Sequence, residues 1–284
     1  MKLGLAIGYS GAHLEVPVTL VHRAEELGYD SVWSAEAYGS DAITPLAFLA
    51  ARTNRIKLGT GIMQLAARTP ANAAMSAASI DAMSGGGRFI AGLGVSGPQI
   101  VEGWYGQPWG KPYYRVKDYV AIMRKIFKRE GPVTHEGREI SLPYKGEGSA
   151  GLAKPLKSIL HMNPDIPIYL ATGSETMVKL TAEIADGWLP MGFVPGAMEE
   201  YGPWLDEGFR RAGNGKSLKD FTISLRPCRG RHRRQRSADA PQAGGGALCG
   251  RHGSSDQEFS QRHHGPSRLR RRRQPHSGTL PGGT

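Results

Sequence analysis

The 284-residue chain carries 36 Lys+Arg against 25 Asp+Glu, a formal net charge of +11, which taken whole would point to a polyanion partner. The excess is local: residues 226–284 hold 13 Arg, no Lys and the carboxylates Asp239, Asp256 and Glu258, a balance of +10, while residues 1–225 stand at +1. Both cysteines, Cys228 and Cys249, also lie beyond residue 225, the opening MKLGLAIGYSGAHLEV turns polar too soon for a secretory leader, and no apolar run nears the roughly 20 residues of a membrane helix, so a soluble cytoplasmic protein without a membrane partner is expected.

Residues 1–225 alternate short apolar runs with helical patterns. KLGLAIG (2–8) and DSVWSAE (30–36) read as the first two buried strands. IKLGTGIMQL (56–65), RFIAGLGV (88–95), IPIYLA (166–171), GWLPMGF (187–193) and FTISL (221–225) follow. Thr44-Pro45, Thr69-Pro70 and Ser174-Glu175 place an N-cap residue before Pro or an acid, and Gly28, Gly85 and Gly187 read as helix stops. The helix YRVKDYVAIMRKIFKRE (114–130) repeats apolar residues at Val116, Tyr119, Val120, Met123, Ile126 and Phe127, the spacing of one buried face.

Strands alternating with helices imply crossovers and a parallel sheet, and seven such strands favour a (β/α)8 barrel over an open doubly wound sheet. No GxGxxG follows the first strand, against a dinucleotide-binding fold. One connection, from about Gly97 to Asp165, is long and contains a hairpin over VTHEGREISLP (133–143), turning at Glu136-Gly137. Long loops at strand C-termini are where barrels build binding sites.

Three strand ends carry candidate chemistry. In LGTGIMQLAARTP, glycines 59 and 61 fit either a bend in a crowded barrel or close backbone approach by a flat ligand. AGLGVSGPQIVEGWYG (91–106) ends in a glycine-rich turn around Ser96, with Glu102 near the mouth. In LATGSETMVKL (170–180) a helix opens directly after a strand, so backbone N–H groups near Gly173, Ser174 and Thr176 suit an anion; the alternative is a plain cap by Ser174. Glu36 closes the second strand, followed by Tyr38 and Asp41, as an acid/base group or a solvated rim charge. His13, His22, His135 and His161 are scattered and expected at the surface, and no metal-spaced cluster stands out in this part.

AEAYGSDAITPLAFLAART (35–53), LGTGIMQLAARTPANAAMSAASIDAMSGG (58–86), AGLGVSGPQIVEGWYG (91–106) and IYLATGSETMVKLTAEIADGWLP (168–190) together resemble the bacterial-luciferase-like flavin- or deazaflavin-dependent oxidoreductases, over roughly residues 1–225. The resemblance implies a TIM barrel with its cofactor at the C-terminal mouth, coenzyme F-420 preferred and FMN the alternative, acting on a small organic substrate. It also implies a non-prolyl cis peptide at Gly61-Ile62, cofactor contacts from Thr60, Gly61, Ile62, Gln64, Ser96, Gly173, Ser174 and Thr176, and a homodimer. Glu36 and Glu102 are the candidate catalytic, protonating groups, although some relatives have a His near the position of Glu36. The chemistry implied is hydride transfer, or reduction followed by oxygen activation.

Beyond Leu225 the resemblance stops, and residues 226–284 contain no Val, Ile, Met, Trp, Tyr or Lys, too little for a core. The favoured reading is a disordered tail from a shifted reading frame, which leaves the barrel without its eighth strand. The alternatives are a basic arm at RLRRRRQ (268–274) and a zinc site at Cys228/His232 and Cys249/His252. An inactive remnant of such an enzyme, or a nucleic-acid-binding protein acting through the tail, are the competing functions, and the composition argues against nucleic acid.

Overall fold

The structure, a computed structural model, describes residues 2–225. The expectations for residues 226–284, namely the shifted frame, the basic arm and the zinc site, lie outside the described residues. The elements in chain order are β1 (Gly4–Gly8), α1 (Val18–Glu26), β2 (Ser31–Ser34), α2 (Thr44–Ala50), β3 (Lys57–Thr60), β4 (Met63–Gln64), α3 (Pro70–Met83) and β5 (Phe89–Gly94). There follow α4 (Pro98–Val101), α5 (Pro112–Lys128), β6 (His135–Glu136), β7 (Ser141–Leu142), β8 (Ile168–Ala171), α6 (Glu175–Ile184), β9 (Gly187–Trp188), α7 (Met198–Ala212) and β10 (Thr222–Ile223).

All seven expected strands are present and pair in parallel in the order β1-β2-β3-β5-β8-β9-β10, with helices in the crossovers. This is the curled sheet of a TIM barrel, and among the described residues β1 and β10 each have one strand neighbour. The run 56–65, expected as one strand, is broken at Gly61 and Ile62 into β3 and β4, and β4 pairs with β5 on its own. The expected hairpin is β6–β7, with His135 opposite Leu142 and Glu136 opposite Ser141, so residues 137–140 make the turn.

The core has two layers. The larger lies between sheet and helices, where the predicted face of α5 is buried throughout and is joined by Ile122. Ala73, Ala74, Ala77 and Ala78 of α3 are buried against it, small enough to bring that helix close to the sheet. The smaller layer fills the sheet's concave side with Trp33, Ile90 and Tyr169, packed against Leu189. Trp33 and Tyr169 have ring centroids 6.0 Å apart. Their bulk explains Gly59 on the strand beside Trp33: a Cβ there would stand 2.5 Å from the indole. For Gly59 the structure adds a third reading: the glycine makes room for tryptophan.

Most predicted helix ends hold, for partly different reasons. Thr69 caps α3 as expected, its hydroxyl accepting from Asn72 N at 3.2 Å, and Gly28 and Gly85 follow their helices at positive φ. At α2 the capping side chain is Asp41, which accepts from the backbone N–H of Ile43 and Thr44 at 2.7 and 2.8 Å; Thr44 itself is the first helical residue. Gly187 stops no helix. It is the first residue of β9, where a Cβ would meet Tyr169 at 2.6 Å. His135 is not a surface residue: its ring meets the Asp118 carboxylate at 3.1 Å and fastens the β6–β7 hairpin to α5.

Replacing Gly59 with Ala should cost about 1–3 kcal/mol, the usual range for overpacking a filled core, and lower the melting temperature by about 3–10 °C. A circular dichroism melt of both proteins tests this, and an unchanged midpoint would remove the indole as the reason for the glycine.

Candidate cofactor and active site at the strand C-termini

Parallel strands point their C-terminal ends to one face, so the loops after β2, β3, β5 and β8 converge there. The register fixes their heights. Ser34 pairs with Thr60, and Gly94 pairs with Ala171. Glu36 therefore stands two residues beyond Ser34, while Ser96 and Gly173 each stand two residues beyond their paired strand ends, on strands about 4.8 Å apart. The first half of the expected pocket is the turn from β3 to β4. The Gly61–Ile62 peptide bond is cis, Gly61 N–H donates to Ser34 O at 2.6 Å, and the Ile62 side chain lies over Gly94, where a Cβ would come within 2.9 Å of it.

Behind this turn lies a buried charged pair. Glu36 Oε1 accepts from Gln64 N at 2.5 Å and Arg68 Nη1 at 2.6 Å. Its Oε2 accepts from Ala42 N at 3.0 Å and Arg68 Nη2 at 2.8 Å. The two side chains are 2% and 12% exposed, which makes this a two-pronged ion pair out of water. Burial opposes the charge on Arg68, but the hydrogen bonds and charge of Glu36 outweigh it and hold the guanidinium above its ordinary pKa. Tyr119 on α5 donates its hydroxyl to Arg68 O at 3.0 Å, and burial raises its own pKa.

The remaining expected residues fall into two groups. Thr60 and Gln64 are fully buried framework. Thr60 Oγ1 bonds both the carbonyl and the N–H of Gly92 at 2.8 Å, and Gln64 Nε2 donates to Val95 O at 2.7 Å. Gly61 and Ile62 are half-buried, and Ser96 (φ 60°), Gly173, Ser174 and Thr176 are exposed at the rim. Ser174 takes the N-cap position of α6, but its hydroxyl makes no capping bond, and the Glu175 carboxylate is turned to Lys179. A Cβ at Gly173 would meet nothing within 4 Å. The plain-cap alternative is therefore not what the side chain does.

Glu102 follows α4 and is exposed; its backbone N–H donates to Pro98 O at 2.8 Å, and its carboxylate has no hydrogen bond or ion pair among the described residues. Its loop is tied over the end of β2 by the Tyr105 hydroxyl, which donates to Ala37 O at 3.2 Å. Exposed Tyr9 and Tyr38 stand beside each other at the same rim, with centroids 6.3 Å apart. Arg68 was not singled out from sequence. One signal was available: it is the only charged residue between Lys57 and Asp81. A cavity of about 540 Å³ between α7 and the loop at Lys216 is not part of this site. Lys216 Nζ donates to Ala182 O and Ala185 O at the far end of α6, on the opposite face of the sheet.

The luciferase-like monooxygenase family model matches residues 2–280. A Mycobacterium tuberculosis protein named as a coenzyme F-420-dependent oxidoreductase is 51% identical over 229 residues, covering 78% of this chain and 65% of that protein. The 5,10-methylenetetrahydromethanopterin reductase of Methanolobus tindarius is 33% identical over 206 residues, 72% of this chain and 58% of its own length. The chain thus spans less than two thirds of these relatives. Among solved structures, the coenzyme F-420-dependent tetrahydromethanopterin reductase of Methanopyrus kandleri superposes with a TM-score of 0.66 at 24% identity, over 80% of this chain and 65% of that one, a likeness of fold.

Asp41 gives the rim a pH dependence. Burial would raise its pKa, but the backbone N–H groups of Thr44 and Ile43 and the charge of Arg68 bring it below the ordinary value. Its stabilisation is therefore complete above the unfolded carboxyl pKa of about 3.9 and lost as pH falls through the lower folded value. Asp41→Asn should cost about 0.5–2 kcal/mol at neutral pH, as a lost cap does, with the gap to wild type closing below about pH 4. Melts of both proteins from acid to neutral pH check this; a constant gap would count against it.

Proposed function

The chain belongs to the luciferase-like monooxygenase family, and from that premise we propose that it is an oxidoreductase binding coenzyme F-420 at the strand C-termini and moving hydride to or from a small organic substrate. The observation that carries the reading is that the Gly61–Ile62 turn and the uncapped start of α6 flank the end of β5, which pairs with β3 on one side and β8 on the other. One offers a largely apolar wall for a flat ring, and the other offers free N–H donors for a phosphate. The similarity to relatives named for coenzyme F-420 supports that cofactor over FMN.

The residues present fit such a group. Gly173, Ser174 and Thr176 would hold the phosphate: the Ser174 hydroxyl is not spent on a cap, Gly173 leaves open space, and Glu175 is paired with Lys179 rather than facing an incoming anion. Gly61, Ile62 and Ser96 would meet the ring, and Thr60 and Gln64 would act from behind by holding those loops in place. When bound, the deazaflavin supplies the hydride chemistry.

What this chain adds is binding, orientation and a proton. Of the two candidate carboxylates, Glu102 is free to exchange one: it is exposed at the mouth and has no fixed partner among the described residues. Glu36 has both oxygens occupied by four donors. A general acid or base typically contributes 10²–10⁴-fold, and Glu102 is assigned that part. Its loop and the aromatic rim of Tyr9 and Tyr38 would screen the reacting atoms from water.

Fluorescence titration with coenzyme F-420, and separately with FMN, tests the reading. Saturable micromolar binding of coenzyme F-420 is expected; binding of FMN alone would reassign the cofactor, and binding of neither would favour the inactive remnant. Ser174→Asp should weaken binding at least tenfold by placing a negative charge at the phosphate seat. Glu102→Gln should leave affinity within about twofold while lowering turnover by about 10²-fold or more.

A further inference from the structure

At the mouth, the proposed chemistry leaves the buried Arg68–Glu36 pair without a part. We infer that this pair is a positioning device: it holds the turn at residues 61–64 against the ring-binding space, and cofactor affinity depends on it beyond any effect on stability. The inference rests on the reading of the mouth as the cofactor site.

A buried ion pair is a poor way to gain stability, because desolvation offsets most of the attraction and apolar side chains of similar volume do as well or better. Geometry is what this pair supplies. Each Glu36 oxygen takes one guanidinium nitrogen and one backbone N–H, so the carboxylate is fixed in plane by four donors at 2.5–3.0 Å. One of those N–H groups belongs to Gln64, two residues after Ile62, and the other to Ala42 in the loop after β2. The main chain at Arg68 is also held, its backbone carbonyl accepting from the Tyr119 hydroxyl on α5 at 3.0 Å. Gln64 completes the frame, its side chain donating to Val95 O at the end of β5 at 2.7 Å and accepting from Ala66 N at 3.0 Å. The turn is thus tied to β2, β5 and α5 at once, and Arg68 is the member that reaches both Glu36 and α5.

The molecule provides its own control. Arg88 is as buried as Arg68 but lies at the opposite end of the sheet, where it donates to the carbonyls of Ile56, Thr53 and Ser84 at 2.9–3.0 Å. It is a structural arginine with no path to the mouth. A lysine at either position keeps the charge and loses the planar fork.

The test compares Arg68→Lys, Glu36→Gln and Arg88→Lys in the full chain, by coenzyme F-420 affinity, melting temperature, the pH profile of turnover and amide hydrogen exchange. Arg68→Lys and Glu36→Gln should weaken coenzyme F-420 at least fivefold and speed exchange at residues 61–68 at least tenfold, with β5 and β8 unchanged. Arg88→Lys should lower the melting temperature as much or more yet leave affinity within twofold. Glu36→Gln should keep every limb of the pH profile. The proposal is overturned if exchange at 61–68 does not change, if Arg88→Lys weakens the cofactor equally, or if Glu36→Gln loses a limb, which would make Glu36 the proton-transferring acid. If wild type binds neither coenzyme F-420 nor FMN, the reading of the mouth falls and takes this inference with it. Binding by wild type with unaltered exchange in the variants overturns the positioning role alone.

Discussion

The contact on which the rest of the molecule depends is the close approach of β3 to β5. Thr60 Oγ1 both donates to and accepts from the Gly92 backbone at 2.8 Å, and a Cβ at Gly92 would stand only 1.8 Å from Thr60 O. Only glycine permits that distance. It sets the register of the central strands, and through Gly94↔Ala171 it sets the point where the loops after β5 and β8 leave the sheet. The turn after β3 is carried along, because Ile62 rests on the bare backbone of Gly94. A threonine hydroxyl and two glycines thereby place the binding loops before any ligand contact is considered.

Buried polar groups tie the backbone together at both ends of the sheet. At the N-terminal end, Asp81 accepts from the backbone of Gly87, Arg88 and Phe89, Glu25 accepts from Asn54, Arg55 and Ile56, and Arg88 caps carbonyls. These groups satisfy strand and helix ends that would otherwise lose their water without replacement. At the C-terminal end Glu36 accepts from the backbone of Ala42 and Gln64 and pairs with Arg68, joining the loop after β2 to the segment between β4 and α3.

Much of this was legible from the chain itself, and the misses have physical causes. Seven apolar runs named the strands because parallel strands buried on both faces are continuous in hydrophobicity. The α5 face was legible because a helix half against a core must repeat every three to four residues. The break at Gly61 and Ile62 was invisible to hydropathy, since IKLGTGIMQL is apolar on both sides of it. The cap of α2 was misassigned because Asp41 and Thr44 are both good capping residues three positions apart. His135 was placed at the surface because its partner Asp118 is 17 residues away on another element. Arg68 was missed for the same reason: Glu36 lies 32 residues earlier, and pairing at that range is a property of the fold.

That last distance bears on how the two mouth carboxylates are to be understood. In sequence both are candidate protonating groups, Glu36 closing the second strand and Glu102 in the loop after the fourth. Folding separates them. Glu36 is buried, and its charge is balanced by Arg68 and shared among four donors, so protonating it would leave a guanidinium without its partner in a site that water barely reaches. Glu102 keeps its solvent and has no donor among the described residues holding it. In the function proposed above, the proton-exchanging group needs the second environment and the loop-holding group needs the first. The two carboxylates sit on the loops after β2 and β5, strands that lie on either side of β3.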